Sequence, residues 1–409
     1  MPRRVVITGV GALSPYGHGV DVLVEGLWAN RSAVSHQPGL GEIPGLRCHV
    51  AARVPAVDIM GIPRKARRYM SVMSGFATLA AQEAVAGARL DPAQCQDGQT
   101  GVCIGSTTGS TLETEKFFRE YLVNPDLSRL KSTHFFKIMN HSCAANVALA
   151  LGIRGYQLAP SAACATGTVA IGLGYDAIAH GRQLRMLCGG ADEYHPLSSA
   201  VFDVMNAASV GYNDRPTSTP RPFDRDRDGV VCAEGAGVLL LEDLEEARRR
   251  NAPILGEIVA YASNTDCGSI ANPDPCIIRD CLLRALHLAD LSPEQIHLVN
   301  AHATGTHEGD IAEGQAINMV FGDRVPVQSL KGHLGHTMAA SGALELIGAL
   351  HMIQQDCLLP TLNLDDPDPA CGSLNLIRET TKAHLDCVLK NSFALGGVNT
   401  AVIVRRHSE

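Results

Sequence analysis

The chain passes through the same order of segments twice, and this repetition limits its fold more than any other feature. Val5-Val6-Ile7-Thr8 is a β-branched run that reads as a strand, and Ile258-Val259-Ala260-Tyr261 resembles it in the second half. Gly101 to Gly105 is answered by His297-Leu298-Val299-Asn300, each followed by small and hydroxyl residues. Tyr156 to Ala163 leads through Cys164 into a helix-like stretch, Val169 to His180. Val325 to Leu330 leads through Lys331 and His336 into a helix ending near Ile353. Gly189-Gly190-Ala191-Asp192 has an echo in Gly396-Gly397-Val398-Asn399. Further strands read at Arg185 to Gly190 and Gly237 to Leu241, and an alanine-rich helix at Ser71 to Leu90. Strands that are apolar throughout, rather than alternating, are strands buried on both faces. The pattern predicts an α/β fold whose sheets are covered by helices on both sides. Two similar α/β halves are expected, residues 1–253 and 254–409, with no low-complexity linker and with the site between them.

Composition narrows the function. A net charge of −8 argues against a general nucleic-acid binder, whose affinity comes from phosphate neutralisation. No uninterrupted apolar run approaches the roughly 18 residues a membrane span needs. Met1-Pro2-Arg3-Arg4 leads straight into the first strand without an apolar leader core, so no signal peptide is expected. The 13 cysteines form no Cys-x-x-Cys pair, which fits reduced thiols in a cytoplasm better than a zinc ribbon or a disulfide scaffold.

Four segments carry candidate chemistry. Ser161-Ala162-Ala163-Cys164-Ala165-Thr166-Gly167 places a cysteine where a strand gives way to a helix. There the unpaired N–H groups and the helix dipole are expected to favour thiolate, the nucleophilic form. A single cysteine is more often an inert core residue; the small neighbours and the other segments argue against that here. Asn300-Ala301-His302-Ala303-Thr304-Gly305-Thr306 places a histidine after an apolar strand, at the end where α/β sheets hold ligands. Lys331-Gly332-His333-Leu334-Gly335-His336 holds a His-x-x-His pair, too weak a signal without a third ligand to read as a metal site. Asn391-Ser392-Phe393-Ala394-Leu395-Gly396-Gly397 is a glycine turn that lets backbone approach a ligand.

In this order and spacing the four segments resemble the β-ketoacyl-carrier-protein synthases, with the nearest match in their type II elongating branch. The resemblance covers essentially the whole chain. It includes the opening Arg4-Val5-Val6-Ile7-Thr8-Gly9, the middle signature from Arg221-Pro222-Phe223-Asp224 to Glu234-Gly235-Ala236-Gly237, and Lys331 five positions before His336 with Glu345 nine after it. It implies the thiolase fold, two similar halves packed as a five-layer αβαβα sandwich. It implies that malonyl-carrier protein is decarboxylated and condensed with an acyl chain held as a thioester on Cys164. His302 and His336 would face the malonyl thioester. Lys331 would order the pocket, with Glu313 as its acidic partner and Glu345 in support. The backbone N–H groups of Cys164 and Leu395 would form the oxyanion hole. Thr304 and Thr306 would touch the phosphopantetheine arm, and Thr108, Phe393 and Leu395 the acyl chain. No metal or redox cofactor is implied. The partners implied are an acyl carrier protein and a second ketosynthase-like subunit, identical or a chain-length factor. Arg64, Lys65, Arg67 and Arg68 form a basic run that would suit docking of an acidic carrier protein.

The chain also departs from the family's pattern. Leu395 stands where relatives have the phenylalanine that gates the acyl tunnel, Ala394 replaces the glycine before it, and Thr108 replaces an isoleucine of the tunnel. Ala162 precedes Ala163-Cys164 where threonine is usual, and Ala303 follows His302 where glycine is usual. These changes lead to the expectation of a ketosynthase specialised for polyene, polyketide or other unusual chains. The alternatives are primary fatty-acid elongation, a chain-length-factor partner subunit, and a thiolase, which would need a second catalytic cysteine in the late turn.

Overall fold

The computed structural model describes residues 2–408. The first half contributes strands β1 (Val5–Ser14), β2 (Thr100–Gly105), β3 (Gln157–Leu158), β4 (Arg185–Asp192) and β5 (Gly235–Asp243). The second contributes β6 (Gly256–Thr265), β7 (Leu298–Asn300), β8 (Pro326–Gln328), β9 (Cys387–Ala394) and β10 (Val398–Arg405). Their spatial orders are β3-β2-β4-β5-β1 and β8-β7-β9-β10-β6, so these five strands of each half match, and the second half adds a short parallel strand, Asn375–Leu376, outside β8. The sense of pairing matches as well. β3, β2 and β4 run parallel, and β4, β5 and β1 antiparallel; β8, β7 and β9 run parallel, and β9, β10 and β6 antiparallel. Val5, Val6 and Ile7 of β1 pair antiparallel with Ile258, Glu257 and Gly256 of β6, which joins the halves edge to edge.

Six helices position the site: α1 (Val72–Gly87), α2 (Ser142–Leu151), α3 (Thr166–Ala179), α4 (Pro275–Ala289), α5 (His307–Phe321) and α6 (Ser341–Gln355). α1 and α2 cover the outer face of the first half, and α4 and α5 that of the second. α3 and α6 lie between and touch strands of both, which completes five layers, αβαβα. The middles of β4 and β5 are apolar because each strand separates two cores. Met186 and Cys188 of β4, with Leu239 and Leu241 of β5, enter the central core. Leu187, Val238 and Leu240 enter the outer core under α1. The two-residue period therefore alternates between two dry faces rather than between core and water. Small residues set the layer spacing: a Cβ on Gly11 would lie 1.9 Å from the Ala80 carbonyl oxygen of α1. α6 is buried over nearly its whole length between the sheets, which explains its apolarity. No helix among the described residues is long and apolar enough to cross a membrane.

Two local readings need correction. The run from Tyr156 to Ala163 forms strand only at Gln157–Leu158; Pro160, which lacks an N–H, cannot extend the ladder. Gly189 and Gly190 lie inside β4, whereas Gly396 and Gly397 form the turn after β9 with φ of 90° and 78°. That echo is compositional and offset in space.

Candidate active site

Cys164 sits in a single 3-10 turn, Ala163–Ala165, immediately before α3. Ala163 holds a φ of 44°, a conformation costly for a residue with a Cβ, so the turn is fixed by its surroundings. Those surroundings are the start of α6. A Cβ on Gly167 would lie 2.5 Å from the Ala339 carbonyl oxygen, and one on Gly342 would lie 2.0 Å from Thr168 Oγ1. The first turns of the two central helices therefore cross at glycines. This crossing brings Cys164, which follows β3, against Lys331 and His336, which follow the corresponding strand β8. The loop after β7 supplies His302.

The Cys164 sulfur and a ring nitrogen from each of His302 and His336 all lie within 4.8 Å of one another. The two imidazoles are 5.2 Å apart at 85°, and Phe393 packs edge-on to His302 at 5.8 Å. His336 Nδ1 is 2.9 Å from the Ser341 hydroxyl, which leaves its buried Nε2 without a protein partner among the described residues. His302 is clamped through its backbone. Glu313 accepts the N–H groups of His302 at 2.7 Å and Ala303 at 2.6 Å, and Lys331 Nζ donates to the His302 carbonyl at 3.0 Å. Lys331 in turn pairs with Glu345 at 2.5 Å, and the other oxygen of Glu345 lies 2.7 Å from Lys390 Nζ.

Burial dominates the electrostatics. It pushes both imidazoles well below the usual histidine range, and the charges on Lys331 and Lys390 push the same way. His302 and His336 are therefore neutral at physiological pH. Burial also pushes the Cys164 thiol up to about 12, against the pull of Lys331. Desolvation of the sulfur thus works against the thiolate that a helix terminus favours. Burial raises Glu313 to about 7 despite its two backbone N–H bonds. Burial pushes Glu345 upward too, but Lys331 and Lys390 outweigh it and hold this carboxyl below its ordinary value.

A cavity of about 270 Å³ opens onto Cys164, His302, His336 and Phe393, and Thr304, Thr306 and Leu395 also line it. Ala394 is not among the residues with positive φ; Gly396 and Gly397 make the turn, so the alanine is accommodated without strain. Three expectations are corrected. Glu313 does not pair with Lys331; Glu345 does, and Glu313 instead anchors the His302 loop. Thr108 is exposed and lies outside the cavity. The Asp192 carboxylate takes the Thr107 N–H and hydroxyl, and the next residue projects outward, its hydroxyl 3.4 Å from that of Thr111. In the basic run Arg64, Lys65 and Arg68 are exposed, but Arg67 turns inward to donate to the Ile62 carbonyl at 2.8 Å. Lys390 was missed by the sequence reading; its one signal is a lysine inside the otherwise uncharged strand of Cys387 to Phe393.

Comparison with known proteins agrees with this geometry. Residues 2–247 match the family model described as beta-ketoacyl synthase, N-terminal domain, and residues 255–365 match its C-terminal domain. A 3-oxoacyl-[acyl-carrier-protein] synthase 1 from Haemophilus influenzae is 34% identical, covering 99% of this chain and all of its own. A crystal structure of a beta-ketoacyl synthase from Burkholderia phymatum superposes with a TM-score of 0.96 at 39% identity, over 99% of this chain and all of that one. A type II polyketide ketosynthase, AntDE, solved with its acyl-carrier protein and bound to the hexaketide, superposes with a TM-score of 0.92 at 28% identity, over the whole of both chains.

Proposed function

The chain belongs to the β-ketoacyl synthase family, and on that footing we propose that it catalyses the decarboxylative condensation of malonyl-carrier protein with an acyl group held on Cys164. The observation that carries this reading is the meeting, in one cavity, of a thiol and two neutral imidazoles drawn from different halves of the chain. In the first half-reaction the Cys164 sulfur attacks the acyl thioester of the carrier's phosphopantetheine arm. A carbon–sulfur bond forms to Cys164, the bond to the pantetheine sulfur breaks, and the thiol proton passes to the departing sulfur. A neutral imidazole within 4.8 Å can relay that proton, which matters because the thiol does not ionise by itself near neutrality. In the second half-reaction malonyl-carrier protein loses carbon dioxide. Imidazole N–H groups of His302 and His336 stabilise the enolate oxygen. The enolate carbon attacks the thioester on Cys164, the new carbon–carbon bond forms, and the sulfur leaves and regains a proton from solvent. The backbone N–H groups of Cys164 and Leu395 would hold the tetrahedral oxyanion. No metal or redox cofactor is required, since loss of carbon dioxide itself generates the carbanion.

Thr304 and Thr306 line the cavity where a pantetheine arm would pass, and Leu395 leaves more room than the aromatic gate of relatives. That room supports a preference for unusual, rigid or unsaturated chains over ordinary saturated ones, tested by offering both together on the same carrier. An acidic carrier protein suits the exposed Arg64, Lys65 and Arg68. A second ketosynthase-like subunit suits the apolar side chains left exposed around the β3 edge, Leu149, Tyr156 and Leu158. A cytoplasm would keep the 13 cysteines, all free thiols here, reduced. The deciding experiment is a condensation assay on wild type and Cys164→Ala. Wild type should form β-ketoacyl product and the variant none; equal turnover would remove the nucleophile assignment.

A further inference from the structure

Lys390 is fully buried, and the condensing cycle described above gives it no role. It lies mid-way along β9, where the two-residue period sends Val388, Lys390 and Ser392 toward the central layer and Leu389 and Phe393 toward the outer core. Its ammonium donates to the Asn391 carbonyl at 2.5 Å and lies 2.7 Å from one oxygen of Glu345, while Lys331 holds the other oxygen at 2.5 Å. A buried ammonium is tolerated only when paired, and a single carboxylate neutralises a single lysine. Here one carboxylate is bracketed by two. The groups facing Lys390 are Glu345 from α6, Lys331 from the segment before α6, Glu313 from α5, and the imidazoles of His302 and His336.

We propose that Lys390 is a positioning residue of the condensing site: by occupying half of the Glu345 carboxylate it leaves the charge of Lys331 only partly neutralised beside His302 and His336, and so adds to burial a positive field that disfavours protonation of both imidazoles. This inference rests on the reading that those imidazoles serve decarboxylation. Without Lys390 the Lys331–Glu345 contact becomes a closed one-to-one pair. The positive field at the imidazoles then falls, and each accepts a proton more readily. A protonated pair repels itself, and neither ring can then relay the Cys164 proton. Lys390 belongs to the charges that depress both imidazoles, behind burial and Lys331, and for His302 behind His336 as well.

The test is Lys390→Met in the full-length protein, with Lys390→Arg as the charge-conserving control. The readout is the titration of His302 and His336 followed by NMR on histidine-labelled protein, assigned with single His→Gln variants. Both imidazoles should titrate about one unit higher in Lys390→Met, and Lys390→Arg should stay near wild type. Malonyl-carrier decarboxylation by Lys390→Met should fall roughly tenfold further at the acid end of its pH profile than at the alkaline end, with KM unchanged. Where Lys390→Met does not fold, Lys390→Gln, which keeps a donor toward Glu345, carries the same expectation. A wild type that releases no carbon dioxide sinks the condensing reading alone. Unchanged imidazole titration in the folded neutral variant overturns the role of Lys390, whatever the wild type does.

Discussion

Thr168 and Gly342 touch where the first turns of the two central helices cross, so closely that a Cβ on Gly342 would fall 2.0 Å from the Thr168 hydroxyl and 2.9 Å from its backbone nitrogen. The Thr168 hydroxyl is itself tied to Ser392 of β9 at 2.9 Å. This contact sets how near Cys164 comes to His336. Gly342→Ala must push the helices apart or displace Thr168, which should cost about 1–3 kcal/mol of stability by overpacking. It should also lower the rate of Cys164 acylation. Thermal unfolding together with single-turnover acylation checks both; a variant as stable and as fast as wild type would mean that the crossing tolerates a methyl group.

The Cys164 thiol is pushed up to about 12 by burial. Its alkylation by a neutral reagent such as iodoacetamide should therefore be slow near pH 7 and still rising at pH 10. A preformed thiolate would instead give a plateau below pH 8. Rates measured across this range, with Cys164→Ala subtracting the other thiols, separate the two cases.

His302 and His336 are held well below the usual histidine range, first by burial. A depressed histidine contributes stability that is present above its unfolded value and lost as pH falls toward its folded one. Decarboxylation of malonyl-carrier protein should thus show no acid limb between pH 8 and pH 6, because neither ring takes up a proton in that window. His302→Ala should reduce the step by about a hundredfold or more, as loss of a transition-state donor typically does. A limb centred near the ordinary value of 6.5 in wild type would contradict the assigned protonation.

Glu313 is raised from 4.5 to about 7, chiefly by burial. A carboxyl raised in the fold adds stability that is full below its unfolded value and is lost as pH climbs through the folded one. The wild-type melting temperature should accordingly decline between about pH 5 and pH 8 through this group. Glu313→Gln retains an acceptor for only one of the two N–H groups, so it should be less stable at pH 5 by about 1–3 kcal/mol. The gap should narrow toward pH 8. A gap that stays constant over that range would show that Glu313 is ionised throughout.

Leu395 lines the cavity beside Cys164 and packs on the cluster that contains Phe202 and Val230. Leu395→Phe should narrow the acyl path. It should shift the ratio of kcat/KM toward flexible saturated chains and away from rigid polyene chains, with little change in malonyl decarboxylation. The two acyl-carrier substrates in direct competition give that ratio; no shift would place chain selection elsewhere.

Much of the fold is written in local pattern. Strands apolar on both faces, such as Arg185–Asp192 and Gly235–Asp243, can only be central strands under helices, and the recurrence of that order in the second half calls for a matching sheet. Cys164, His302 and His336 stand out because a reactive side chain in a glycine- and alanine-rich segment at a strand end has few structural reasons to be there. The tasks of the buried charges could not be read this way. Which carboxylate reaches Lys331 depends on where α5 and α6 lie after both sheets have packed, and spacing along the chain says nothing of that. Glu345 takes the lysine, Glu313 takes the His302 backbone, and Lys390 enters from β9. The protonation of Cys164 was likewise decided by tertiary structure. A helix terminus is a local feature that favours thiolate, whereas desolvation is set by everything that closes over the sulfur, and it raises the thiol against the pull of Lys331.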